Sequence, residues 1–141
     1  MKIECYCDGS ARPNPGEGIA QIHLTIETPL QPIVSTFEKK LGYCTNVQAE
    51  YHAFLLALQE IEDIFVLQKP AKLYAQVFTD YKNLWGQLIK KWKVNENREL
   101  VSKAKQELQR LRSSGIILYV NWVPREQNLA GQILEKKLKS M

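Results

Sequence analysis

Two periodicities alternate along the chain, and they divide it into strands and helices. Residues 2–7 (KIECYC) read as a short strand. The segment from Asp8 to Gly16, rich in Gly, Pro and Asn, reads as the turn that ends it. Ile22, Leu24 and Ile26 alternate with Gln21, His23 and Thr25, the period-two pattern of a half-buried antiparallel strand. Thr28-Pro-Leu-Gln-Pro32 breaks it, and residues 33–41 return as a hairpin partner. The period then lengthens. Ala49, Ala53, Leu56, Ala57, Ile61 and Ile64 lie on one face at helical spacing. A helix is therefore predicted from Thr45–Asn46, a capping pair, to about Ile64. Residues 72–79 form a strand, and Tyr81 to about Lys91 a helix. Asn97 caps a further helix through Leu111, which Gly115 stops. Residues 116–123 make a last strand, Pro124 opens a loop, and a final helix occupies roughly 128–139.

Three strands, a helix, a strand, two helices, a strand and a helix imply an α/β fold. A five-stranded mixed sheet with helices on both faces is expected. The 141 residues suit a single domain spanning 1–141, and 45% hydrophobic with 24% charged residues is ordinary for a globular protein. No apolar run approaches the roughly 18 residues of a membrane span, and no signal peptide is seen, so a cytoplasmic monomer away from membranes is expected. Cys5, Cys7 and Cys44 lack metal-ligand spacing and read as small buried hydrophobes. The net charge of +4 permits a polyanionic partner without requiring one. Lys90, Lys91 and Lys93 around Trp92, and Lys136, Lys137 and Lys139 at the end, read first as solvated helix faces.

Three acids stand where a purely structural design would avoid them. Asp8 ends the first strand, Asp80 ends the strand KLYAQVFT, and Glu50 shares a helix face with Ala53, Ala57 and Ile61. Each has an ordinary explanation: a turn pair with Gly9, a helix cap, a favourable helix N-terminus. Strand ends and a helix start can also converge on one sheet edge. Carboxylates meeting there without His or Cys make a hard oxygen site suited to magnesium or manganese. Two such ions are the usual apparatus of phosphodiester hydrolysis.

At these residues the chain resembles ribonuclease H of type 1. The resemblance rests on Asp8-Gly-Ser with Asn14-Pro-Gly16, Gly42-Tyr-Cys-Thr-Asn-Val-Gln-Ala-Glu50, Phe78-Thr-Asp80 and Trp122-Val-Pro-Arg-Glu-Gln-Asn128, in family order. It implies a ribonuclease H-like fold and an endoribonuclease that cuts the RNA strand of an RNA–DNA hybrid. It also implies that Asp8, Glu50 and Asp80 bind two Mg2+ ions, with Mn2+ able to substitute, and that products carry 5′-phosphate and 3′-hydroxyl ends. By the same resemblance Gly9, Ser10, Asn14, Thr45, Asn46, Gln48, Trp92 and Arg125 contact substrate, read through phosphates and ribose 2′-hydroxyls rather than base sequence. Residues 92–97 pass quickly to the next helix, as in the compact subgroup without a basic protrusion.

Two departures stand out. Arg125 occupies the loop where the family often has a histidine; it cannot shuttle protons near neutral pH but can hold phosphate. The family's Asn-x-x-Ala-Asp is here Asn128-Leu-Ala-Gly-Gln132, so Gln132 or Gly131 replaces a fourth carboxylate. Glu135, one turn further on, is expected to supply the missing metal ligand. The alternative is a catalytically impaired hybrid-binding module that has lost that acid.

Overall fold

The computed structural model describes residues 1–140; Met141, at the end of the expected domain, lies outside them. Strands β1 (Lys2–Arg12), β2 (Gly16–Glu27) and β3 (Ile33–Cys44) form an antiparallel meander. Helix α1 (Asn46–Gln68) carries the chain over to β4 (Tyr74–Thr79), which pairs parallel with β1. Helices α2 (Lys82–Ile89) and α3 (Arg98–Ser113) lead to β5 (Ile117–Trp122), parallel to β4, and α4 (Leu129–Lys139) closes the fold. The sheet order is β3-β2-β1-β4-β5, the mixed five-stranded sheet that the sequence pattern implies. No helix among the described residues is long and apolar enough to cross a membrane.

Strand alternation decides what each face of the sheet meets. Ile3, Cys5, Cys7, Ile22, Leu24, Val77 and Val120 are buried in one cluster with Tyr51, Phe54, Leu58 and Ile61 of α1 and Leu108 and Leu111 of α3. Each large apolar side chain buried this way contributes roughly 1.5–3 kcal/mol. Asp8 and Gln21, a register pair, are out of phase with Cys7 and Ile22 and so point to the other face. There α4 lies across β1 and β2, and Lys137 Nζ donates to Gln21 Oε1 at 3.0 Å. The three cysteines are free and buried.

The element boundaries differ from the sequence pattern by one or two residues in β4, α3 and β5, and more in four other elements. The first strand does not stop at Cys7: β1 runs through Asp8 to Arg12, paired to Glu17, and the turn shrinks to residues 13–15. Asp8 is thus inside a strand, one residue beyond the last β1–β4 pair, Cys7 with Thr79. Likewise β3 continues to Cys44, because its ladder with β2 extends to Gly16. Helix α1 continues past Ile64 to Gln68, where Lys69 ends it in the left-handed region at φ 47°. Helix α2 stops at Ile89, since the chain folds back and Trp92 N donates to Gly86 O at 3.1 Å. Its indole covers Gly86 so closely that a Cβ there would lie 1.9 Å from Trp92 Cε3. Residues 90–97 join α2 to α3 with no further helix between them.

Candidate active site

Three elements aim carboxylates at one point. Asp8 projects from β1, Asp80 follows β4 directly, and Glu50 sits in the second turn of α1. One carboxylate oxygen of each lies within 4.8 Å of the others. Asp8 is 3% exposed and Glu50 9% exposed. The approach of α1 to β1 that permits this needs a glycine. A Cβ on Gly9 would fall 2.1 Å from the Ala49 carbonyl oxygen, so any side chain would push the helix away. Gly9 N in turn donates to Glu50 Oε1 at 2.7 Å. The helix start is fixed by a capping box: Gln48 N donates to Thr45 Oγ1, and Thr45 N donates to Gln48 Oε1.

Asn128 ties the site to α4. It is fully buried; its Nδ2 donates to Cys7 O at 2.9 Å and to Asp80 Oδ2 at 3.0 Å. Its Oδ1 accepts from Ala130 N and Gly131 N, capping α4. Trp122 Nε1 donates to the Asp80 carbonyl at 3.1 Å. The sequence marks Asn128 as a helix start within a motif, but does not reveal that the same side chain orients an acid 48 residues away. Arg12 was missed as well, because it falls in the stretch read as a turn.

The electrostatics follow from burial. Desolvation raises the Asp8 pKa despite its hydrogen-bonded approach to Glu50, and the nearby Asp80 charge adds to the rise. Glu50 is pushed well above the carboxylate range, first by burial and then by the Asp8 charge. Two desolvated acids and a third beside them favour either a retained proton or a cation. The donor set is all carboxylate oxygen, with no His or Cys in the cluster, and this fits a hard divalent ion. The Arg125 pKa is raised: burial opposes the rise, but the charges of Asp8, Asp80 and Glu135 outweigh it.

Glu50 and Asp80 open into a cleft of about 630 Å³, which Gly9, Ser10, Asn14, Asn46 and Arg125 also line, together with Arg12. Asn46 N donates to Asn14 Oδ1 at 3.0 Å and Ala11 N to Asn46 Oδ1 at 2.7 Å, binding the turn to the helix start. Thr45, Gln48 and Trp92 do not line this cleft. Gln48 sits in a neighbouring groove, where its Nε2 donates to Asn97 Oδ1 at 3.4 Å. Trp92, 41% exposed, meets Trp85 edge-to-face at 6.1 Å. Glu135 stands outside the three-acid cluster; its Oε1 accepts from Arg12 Nη2 at 2.7 Å and Arg125 Nη2 at 3.1 Å. Of the two residues that could take the place of a fourth acid, Gly131 is the one beside the site. A Cβ there would be 3.2 Å from Asp8 Oδ2, whereas Gln132 turns away and donates to Glu126 O.

A mixed sheet with acids gathered beside the parallel pair defines a nuclease-like α/β protein. The chain belongs to the RNase H family, whose model matches residues 1–131. Among solved structures it is similar to RNase H1 from the halophilic archaeon Halobacterium salinarum NRC-1, at 22% identity and TM-score 0.77 over 100% of both chains. It is also similar to the N-terminal RNase H domain of Rv2228c from Mycobacterium tuberculosis, at 24% identity and TM-score 0.74 over 95% of both chains. A third is LC11-RNase H1, isolated from compost by a metagenomic approach, at 26% identity and TM-score 0.72 over 97% of this chain and 98% of that one. LC11-RNase H1 has also been solved in complex with an RNA/DNA hybrid. No curated protein matches by sequence. Family membership makes this chain an RNA–DNA hybrid endoribonuclease, and the family works with divalent metal ions.

Proposed function

We propose that Asp8, Glu50 and Asp80 carry hydrolysis of the RNA strand by holding two divalent ions, Mg2+ with Mn2+ able to substitute. The observation that supports this is the convergence of three carboxylates within 4.8 Å, two of them almost fully buried. When bound, the ions supply activation of the attacking water and neutralise charge that builds on the phosphate, leaving 5′-phosphate and 3′-hydroxyl ends. The chain's own groups do the positioning. Gly9 N and Asn128 Nδ2 hold Glu50 and Asp80 by single hydrogen bonds, which fixes their oxygens before substrate arrives. Gly9, Ser10, Asn14 and Asn46 give the cleft a wall of small and amide groups that can reach ribose hydroxyls. Arg125 offers a guanidinium to a backbone phosphate. Thr45, Gln48 and Trp92, outside the cleft, are assigned to the flanking duplex.

The test is magnesium-dependent cleavage of an end-labelled RNA–DNA hybrid, set beside duplex DNA and single-stranded RNA. The wild-type chain is expected to cut the hybrid alone, and Asp80→Asn to cut nothing. Equal cutting by both would remove the three acids from the chemistry. A second reading, a hybrid-binding module of reduced activity, is favoured by one observation: Gly131 leaves no fourth carboxylate next to Asp8. Hybrid binding with negligible wild-type turnover would select it.

A further inference from the structure

Arg12 ends β1 and Arg125 opens the 3-10 turn before α4, yet both donate through Nη2 to one oxygen, Glu135 Oε1. Two guanidiniums on a single carboxylate carry a net charge of +1, and like charges so close repel. Stability does not account for the arrangement. The arginine side chains are 50% and 63% exposed, and exposed ion pairs contribute only about 0–1 kcal/mol. Both guanidiniums line the cleft that holds Glu50 and Asp80. Each uses one N–H on Glu135, and a guanidinium has five in a planar fork, so donors remain for a bidentate phosphate contact.

We propose that Glu135 is a positioning residue that yokes Arg12 and Arg125 into one phosphate-binding wall of the cleft. The ligand is the phosphodiester backbone of the hybrid, an identification that rests on the hybrid-cleaving reading. This role replaces the expected one of metal ligand. Glu135 Oε1 already accepts two charge-assisted bonds, and its carboxylate lies outside the three-acid cluster. Without Glu135 the arginines repel each other and swing apart, and a phosphate must reorder both on binding.

Binding of a fluorescent hybrid, followed by anisotropy in EDTA so that nothing is cut, gives a sign as well as a size. General electrostatics says that removing a negative charge tightens binding to a polyanion. The yoke says the opposite. Glu135→Gln is expected to weaken binding about tenfold, as loss of an ordered phosphate contact does. Arg12→Ala should do likewise, and the double variant should be little worse than either single one, because both changes break one device. Glu126→Gln removes the same charge from an exposed site nearby and should stay within about twofold of wild type. If Glu135→Gln does not fold, Glu135→Asp keeps the charge, shortens the reach and should also weaken binding. Unchanged or tighter binding by Glu135→Gln would overturn the proposal. So would an altered magnesium midpoint for cleavage with unchanged affinity in EDTA, which would make Glu135 a metal ligand. A wild-type chain that neither binds nor cuts hybrid would instead sink the functional reading, with no variant needed.

Discussion

At the floor of the cleft Asp8 and Glu50 are almost wholly removed from water, like-charged and pressed together; at its rim the exposed Arg12 and Arg125 meet the oppositely charged, half-buried Glu135. The floor is costly to the folded chain, because desolvation and mutual repulsion both work against it. The rim costs little, since water and counter-charges surround it. Removing a floor charge should therefore destroy activity without harming the fold. Removing a rim charge should change affinity and leave chemistry and fold nearly intact. Asp80→Asn is the sharpest test of this contrast. Hydrolysis should fall by roughly 10³-fold or more. The melting temperature of the metal-free protein should stay level or rise, because Asp80 raises the pKa of both neighbours. A clear fall in stability would mean that the cluster supports the fold.

Asn128 joins the two regions, and replacing it should damage the fold most. Asn128→Ala removes a helix cap, worth about 0.5–2 kcal/mol, and leaves the buried Cys7 carbonyl unpaired at a further cost of about 1–3 kcal/mol. Urea denaturation should show a loss of about 2–4 kcal/mol. Activity of the folded fraction should fall too, as Asp80 loses its tether. A loss below about 0.5 kcal/mol would show that water replaces the side chain in all four bonds.

How far the sequence foretold this site depends on which kind of signal each residue carries. The fold class was legible because apolar periodicity and burial are the same physical fact seen twice. The convergence of Asp8, Glu50 and Asp80 was legible because two are acids at strand ends and the third is an acid on an apolar helix face, elements that can meet at one sheet edge. The extension of β1 to Arg12 was not, since Gly, Pro and Asn favour a turn locally while the ladder with β2 decides globally. Arg12 carried no signal and Glu135 was read only as a metal ligand; they are remote in sequence, so only their meeting in space shows that they pair. Asn128 shows a middle case. Its capping role is local and readable, and its grip on Asp80 is long-range and hidden.

A pH series sharpens the account of the floor. Folding raises the pKa of Asp8 and Glu50, so the folded chain binds protons more tightly than the unfolded one. Their favourable contribution is complete below the ordinary carboxylate values near 4 and is lost as pH rises through the raised folded values. The metal-free melting temperature should accordingly decline from mildly acidic toward neutral pH, and Glu50→Gln should flatten the decline. Magnesium should reverse the loss at neutral pH, adding about 1.4 kcal/mol at ten times its dissociation constant, and do little where protons hold the site. Equal magnesium stabilisation at both pH values would place the ion elsewhere.

The smallest expected effect concerns the gap beside Asp8. A Cβ at Gly131 would sit 3.2 Å from Asp8 Oδ2, a few tenths of an ångström too close, and the neighbour is the end of a side chain that can shift. Gly131→Asp therefore places a fourth carboxylate beside the floor, with Asp8 giving by a few tenths of an ångström to admit its Cβ. Replacing a helical glycine by aspartate, itself a poor helix former, regains only about 0.3 kcal/mol of propensity, while a fourth like charge in the metal-free site opposes it. The variant should be slightly less stable than wild type in EDTA and more stable with magnesium present. The magnesium concentration for half-maximal cleavage should drop about fivefold, equivalent to about 1 kcal/mol of added ion binding. A midpoint that rises would show that the new carboxylate pairs with Arg125 at the rim instead, and that the boundary between the two regions lies at position 131.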